Sequence, residues 1–319
     1  MQEMTMKYNK TVRRFSQEHH DNCTNCNRPF KIRDTTHLGY ASHKKLVNVG
    51  DCCSSILKET IVRHDFQKRP YSVPDDNTIL WRFMDFTKFV SLINSKKLYF
   101  NRADQFADPF EGAKGLLKNK KMWDAYYLEY FVQAHTSLSK EMGNKKTDKE
   151  IRAASRTLLK QSHEIGAVQL QETFINCWHE NDHESEAMWK LYTSTLDQGI
   201  VIKTTYKRLY AALGRNPSIQ IGRVNYIDFK KNFAGPHESF WFKRKSFEHE
   251  KEVRAIYVKY FSKVDVGQFM PVNLNTLIDK IYVSPTAQNW FKGLVGDVLK
   301  KYNLNKKIGD SAMRDKPFH

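Results

Sequence analysis

Apolar positions along this chain change period several times, and each change marks a different kind of element. Ile79 to Phe83 is a short apolar run that reads as a strand carrying Arg82. Asp85 follows as a cap for a helix in which Phe86, Phe89, Val90 and Ile93 recur at helical spacing. After Asn94-Ser95 the chain turns into Leu98-Tyr99-Phe100, a second strand, and 104–112 is a loop in which Pro109 holds Asp108 extended. Residues 114–170 read as a helical insertion. Lys114, Lys118, Lys120 and Lys121 open it, and Trp123, Tyr126, Tyr127, Tyr130 and Phe131 give it an aromatic face. That spacing fits core better than a platform for bases. Thr147 and Glu150 make a capping box ahead of Ile151, Leu158 and Leu159.

From Thr173 the pattern turns to strands: 174–178, 199–205, 219–227, 252–260 and 280–283. A short helix interrupts them at 184–192. A last helix begins near Ala287 with Phe291, Leu294, Val295, Val298 and Tyr302 on one face. The mixture predicts an α+β fold, a twisted mixed sheet with flanking helices and a helical insertion.

Ahead of that domain the pattern is weaker. Residues 1–21 have no clear period. Pro70, Pro74, two Asp and Asn77 give 65–78 a linker composition, so the expected division is a small module over 1–70 and an α+β domain over 71–319. Four of the five cysteines lie in the first part, as Cys23, Cys26, Cys52 and Cys53. In a chain without an export signal such clustering suggests metal before disulfide, and the expectation is structural zinc. A CxxC knuckle supplies two ligands without strain. Adjacent side chains diverge, which leaves open whether Cys52 and Cys53 both ligate or whether His20, His37 or His43 completes the set. The segment from Ser54 to Glu59 reads as a helix start.

Charge adds a partner class. The formal net charge is +17, and so basic a surface attracts nucleic acid first and other phosphate-rich partners second. No apolar run is long enough to span a bilayer, and the N-terminus is polar and basic. A cytoplasmic protein without membrane contact is therefore expected.

Candidate chemistry concentrates in three islands: 80–111, 177–203 and 243–254. In the last, alternation along a strand puts Glu250, Glu252 and Arg254 on one face. Two carboxylates backed by a guanidinium suit the grip of a hydroxyl or of a cationic transition state, and they also suit an exposed ion-pair ladder. Cys177 and His179 share a strand face, within reach of a thiol–imidazole pairing, although a buried thiol is the commoner outcome. No phosphate-binding glycine loop, nucleophile elbow or kinase signature occurs.

Leu80-Trp81-Arg82-Phe83, Leu98-Tyr99-Phe100, Asp108-Pro109-Phe110-Glu111, Cys177-Trp178, Met188-Trp189-x-x-Tyr192, Gly199, Lys243 and Glu250-x-Glu252-x-Arg254 together resemble the bacterial "domain of unknown function 2971" family, over about 79–305. Ala107, Phe247 and His249 depart from its usual pattern. The order of strand with Arg, helix, strand with Tyr and late strand with Glu also resembles ADP-ribosyltransferases. That resemblance implies an enzyme using NAD, with Arg82, Tyr99, Trp178 and Arg254 around the cofactor and Glu250 or Glu252 as the catalytic carboxylate. The target would be nucleic acid or a nucleic-acid-associated protein, in bacterial defence or toxin activity. Two other functions are open to these residues: a non-catalytic nucleic-acid-binding module, and a metal-dependent nuclease or other hydrolase using His179 and the carboxylates.

Overall fold

The computed structural model describes residues 22–319 apart from 32–33, 42–45, 66–69, 142, 144–145, 194–195, 217, 236–237 and 261–264. The basic lead-in with His20, and also His43, fall outside the described residues. The first part holds three antiparallel strands, β1 Thr35–Tyr40, β2 Leu46–Gly50 and β3 Glu59–Asp65, in the order β2-β1-β3. The expected helix start at Ser54 is instead a 3-10 turn, Asp51–Ile56, that hands over to β3. Its buried apolar set among the described residues is small: Cys23, Leu38, Val47, Val49 and Cys53.

The rest is mixed α/β. Among the described residues nine strands form one twisted, mixed sheet: β4 Ile79–Asp85, β5 Lys97–Arg102, β6 Thr173–Glu180, β7 Gly199–Thr205, β8 Ile219–Arg223, β11 Glu252–Val258, β12 Gly267–Pro271, β13 Lys280–Val283 and β14 Ile308–Gly309. The remaining two, β9 Asn225–Ile227 and β10 Phe242–Arg244, pair with each other in parallel. The run 219–227, expected as one strand, thus breaks at Val224 and serves two sheets.

Period-2 alternation sorts the two faces of the large sheet. On one face Leu80, Met84, Phe174, Trp178, Ile200, Ile202, Val253 and Ala255 form the main core. Four helices cover it: α1 Phe86–Ser95, α5 Tyr206–Ala212, α6 Leu274–Leu277 and α7 Asn289–Lys301. Phe89, Leu92 and Ile93 of α1 point inward, each contributing about 1.5–3 kcal/mol by burial. Lys96, left-handed at φ 53°, ends that helix.

The opposite face carries two smaller apolar clusters. One sets Trp81, Phe83, Val201 and Tyr282 under Met188 and Trp189 of α4, Glu186–Tyr192. The other sets Ile175 and Ile256 under Tyr71 and Trp241. Tyr71 comes from the stretch that reads as linker. Its ring stacks on Trp241 with centroids 3.9 Å apart and lies across Gly222, where any Cβ would fall 2.1 Å from it. The helical insertion is a pair, α2 Lys120–Glu141 and α3 Asp148–Glu172, and the capping box of Thr147 and Glu150 is present. Of its aromatic face, Trp123 is buried and donates to the Ala234 carbonyl, while Tyr126 and Tyr130 are exposed.

Candidate active site in a split of the sheet

The cleft begins as an irregularity of strand pairing. One edge of β6 pairs along its whole length with β11. The other edge is shared: β5 takes Phe174 and Ile175, and β4 takes His179 and Glu180. Among the described residues, Asn176, Cys177 and Trp178 have no cross-strand partner on that edge. Backbone groups left there must be met by something other than a ladder, and two side chains do so. Arg82 donates through a guanidinium NH1 to the Cys177 carbonyl at 2.6 Å, and Asn176 Nδ2 donates to the Tyr99 carbonyl at 2.8 Å. Asn176 Oδ1 in turn accepts from the Trp178 indole at 2.7 Å. The split opens into a cavity of about 620 Å³ with walls from β4, α1, β5, β6, α4 and the approach to β11, within the range of small-molecule sites.

Arg82 lies against the Trp178 ring, its guanidinium carbon 5.7 Å from the ring centre. Burial works against its charge and lowers its pKa, and among the described residues no carboxylate is paired with it. A desolvated cation without a counter-ion is costly, so an anion entering the cleft would find a ready partner. Tyr99 is half-exposed on the opposite wall, its ring 5.0 Å from that of Phe269. Gly267 makes room for it, since a Cβ there would fall 2.1 Å from the Tyr99 hydroxyl.

Between the two outer apolar clusters runs a charged strip. Arg254, wholly buried, forms a two-pronged pair with Glu111 at 2.6 and 2.8 Å and donates to Glu252 at 2.7 and 3.2 Å. Lys243 bridges Glu252, at 3.2 Å, and Glu250. The loop bearing Glu111 is latched by Asp108, which caps the Phe110 amide and pairs with Arg244 at 2.6 Å. Burial raises the Glu252 pKa, but Arg254 and Lys243 outweigh it and hold the carboxyl at about 2. Burial likewise opposes the Arg254 charge, and Glu111 with Glu252 overcomes it. The two carboxylates therefore differ. Glu252 is gripped by two cations, whereas Glu250 pairs with Lys243 alone among the described residues.

Glu250 does not stand on the strand as expected. It ends a 3-10 turn, Lys245–Glu250, and Lys251, left-handed at φ 39°, intervenes before β11. It still reaches the same lysine as Glu252 and lines the same cavity. Arg254, expected to contact a cofactor, instead stands behind Glu252 and away from the cavity wall, because Glu111 draws it inward. Trp178 is buried in the main core and reaches the cleft as the surface under Arg82. Cys177 meets the cavity, but burial, aided by Glu252, pushes its thiol well above the ordinary value. That disfavours the thiolate a nucleophile needs.

Comparisons with protein-family models, with curated proteins and with solved structures find no match.

His179, Tyr192 and Glu111 complete the site; sequence reasoning offered His179 only as a partner of Cys177 or of the carboxylates in a hydrolase, and gave Tyr192 and Glu111 no role in chemistry. The imidazole is buried, accepts no charge readily and binds the Glu250 carbonyl through Nδ1 at 2.6 Å. Burial and the carboxylates of Glu250 and Glu252 push the Tyr192 hydroxyl pKa up. The available signal was alternation: His179 shares its strand face with Cys177, and cross-strand register puts it opposite Glu252.

The cysteines are a second, separate site. The Sγ atoms of Cys23, Cys26, Cys52 and Cys53 all lie within 4.8 Å of one another, so the group could hold a metal ion. Both members of the adjacent pair join, and His37 pairs instead with Asp51 at 2.6 Å. Cys26 and Cys52 sulfurs are 3.8 Å apart, and tetrahedral bonds of about 2.3 Å to zinc imply about that separation. Burial raises the Cys23 pKa, but backbone N–H groups of Cys26, Gly50 and Asn25 bring it down to about 6. Cys26 beside it pushes Cys52 up to about 12. Four crowded sulfurs of this kind resist joint ionisation until a cation neutralises them. No helix among the described residues is long and apolar enough to cross a membrane.

Proposed function

We propose that the chain is an ADP-ribosyltransferase-like enzyme that uses NAD, with the split in the sheet as its active site. The observation that carries this reading is a convergence: a half-buried guanidinium with no paired carboxylate among the described residues, aromatic walls and two carboxylates meet on one cavity of about 620 Å³. Arg82 would hold a phosphate of the dinucleotide and Tyr99 would stack on the nicotinamide ring. Glu250, the less encumbered carboxylate, would steady positive charge developing at the ribose C1′ as nicotinamide departs. It would then take the proton from the acceptor group that bonds to C1′. Glu252 would act through Lys243 as the residue that positions Glu250. The net charge of +17 favours nucleic acid or a protein bound to it as acceptor. Zinc in the four-cysteine set would be structural, all four ligands coming from the protein.

Incubation with NAD and nucleic acid tests the reading by following nicotinamide release and transfer of the ADP-ribosyl label. Release and transfer by the parent chain, reduced about 10²–10⁴-fold in Glu250→Gln, support it. Neither release nor transfer at saturating NAD overturns it.

A further inference from the structure

We infer that His179 recognises an uncharged hydrogen-bond donor on the ligand, of the carboxamide class, through its Nε2 atom. The inference rests on the reading of the cleft as a NAD site. A carbonyl oxygen only accepts, so the 2.6 Å contact to the Glu250 carbonyl puts the ring proton on Nδ1 and leaves Nε2 as an acceptor. Burial lowers the pKa of the group, with Lys251 and His249 reinforcing this against the pull of Glu250, so the ring is neutral. Nε2 is itself buried and has no hydrogen-bond partner among the described residues. Buried acceptors are nearly always satisfied, and this one belongs to a residue on the cavity wall.

The surroundings fix the ring and select the donor. Phe83 meets it edge-on with centroids 6.2 Å apart, and its cross-strand neighbour Trp81 is tied down by an indole bond of 2.7 Å to the Asn181 carbonyl. Glu250 and Glu252 share the wall with it. At Nε2, an acceptor, a carboxylate presents only acceptor oxygens, whereas an amide presents an N–H. The same group that completes Nε2 is thereby discriminated from its acid analogue, by an attractive contact and a repulsive one together.

The test is a histidine-ring ¹⁵N spectrum of the full chain, titrated separately with nicotinamide and with nicotinate. The expected result is an Nδ1-protonated ring for His179 in the free protein, and a shift of its Nε2 resonance with nicotinamide alone. An Nε2-protonated ring, no shift with nicotinamide, or equal shifts with both compounds would overturn the inference. His179→Asn keeps a donor for the Glu250 carbonyl and removes the Nε2 acceptor. It should melt with the parent and bind nicotinamide about tenfold more weakly. Unchanged nicotinamide affinity in that variant also overturns the inference. NAD titration of the parent chain, run beside these, tests the cleft's proposed function independently of His179.

Discussion

At the scale of single residues, position relative to the cleft divides two carboxylates that look alike in sequence. Glu252 is a member of a buried ion cluster, and its contribution to stability depends on pH in a definite direction. Its folded pKa of about 2 lies below the ordinary 4.5. Its pairing therefore stabilises the fold fully above about pH 4.5 and less and less as pH falls toward 2. The difference corresponds to about 3 kcal/mol. Urea midpoints should thus fall more steeply between pH 5 and pH 3, roughly spanning that window, in the parent than in Glu252→Gln; parallel curves would refute the assignment. Arg254→Met leaves Glu111 buried without its ion-pair partner and Glu252 with Lys243 alone, and should cost about 3–5 kcal/mol in chemical denaturation. The spacing of Glu252 and Arg254 was legible from strand alternation, but Glu111 was not. It lies 143 residues away from Arg254, and nothing local announces the pairing.

At the scale of elements, strong local patterns were readable and weak ones were not. Gly199–Thr205 and Lys280–Val283 are strands over the expected spans, because each is an apolar run bounded by turns or polar residues. The capping box at Thr147 was equally plain, and Thr147→Ala should cost about 1 kcal/mol. Hydrogen exchange of the first turn of α3 would report it, and unchanged protection would contradict it. Lys96 was not singled out, since a left-handed helix end is invisible without a glycine. Lys96→Gly should stabilise the chain by about 1 kcal/mol, measured as a raised midpoint of thermal unfolding. β12, β10 and β14 escaped notice for different reasons. The first has no buried residue and ends in Pro271, and the others are three and two residues long. Alternation in the sequence continues through Glu250 as it would along a strand; the left-handed Lys251 breaks that continuity.

At the scale of the whole molecule, the site exists because two strands joined by one helix share a single edge of β6 and leave its middle unpaired. Register between segments about a hundred residues apart decides this, and sequence pattern shows which residues form strands without showing which strands meet. The islands were visible one by one; their convergence required the sheet. The N-terminal module follows another logic. Its few buried apolar residues make a small core, and small units of this kind depend on a staple. Metal analysis should find one zinc per chain, lost together with protection of β1–β3 in Cys26→Ser; full protection in the metal-free protein would contradict a structural role. Arg82 gives the most direct test of the central claim, that the split holds an anionic nucleotide. Arg82 has no paired carboxylate among the described residues, and Gln in its place keeps an N–H donor for the Cys177 carbonyl, so stability should hold, while removing the ligand's cationic partner should abolish binding. Calorimetric titration of NAD into the parent chain and Arg82→Gln is therefore the measurement. The account predicts saturable binding by the parent and none by the variant, with the variant's melting temperature undiminished. Equal binding by both proteins, or none by the parent, would contradict it.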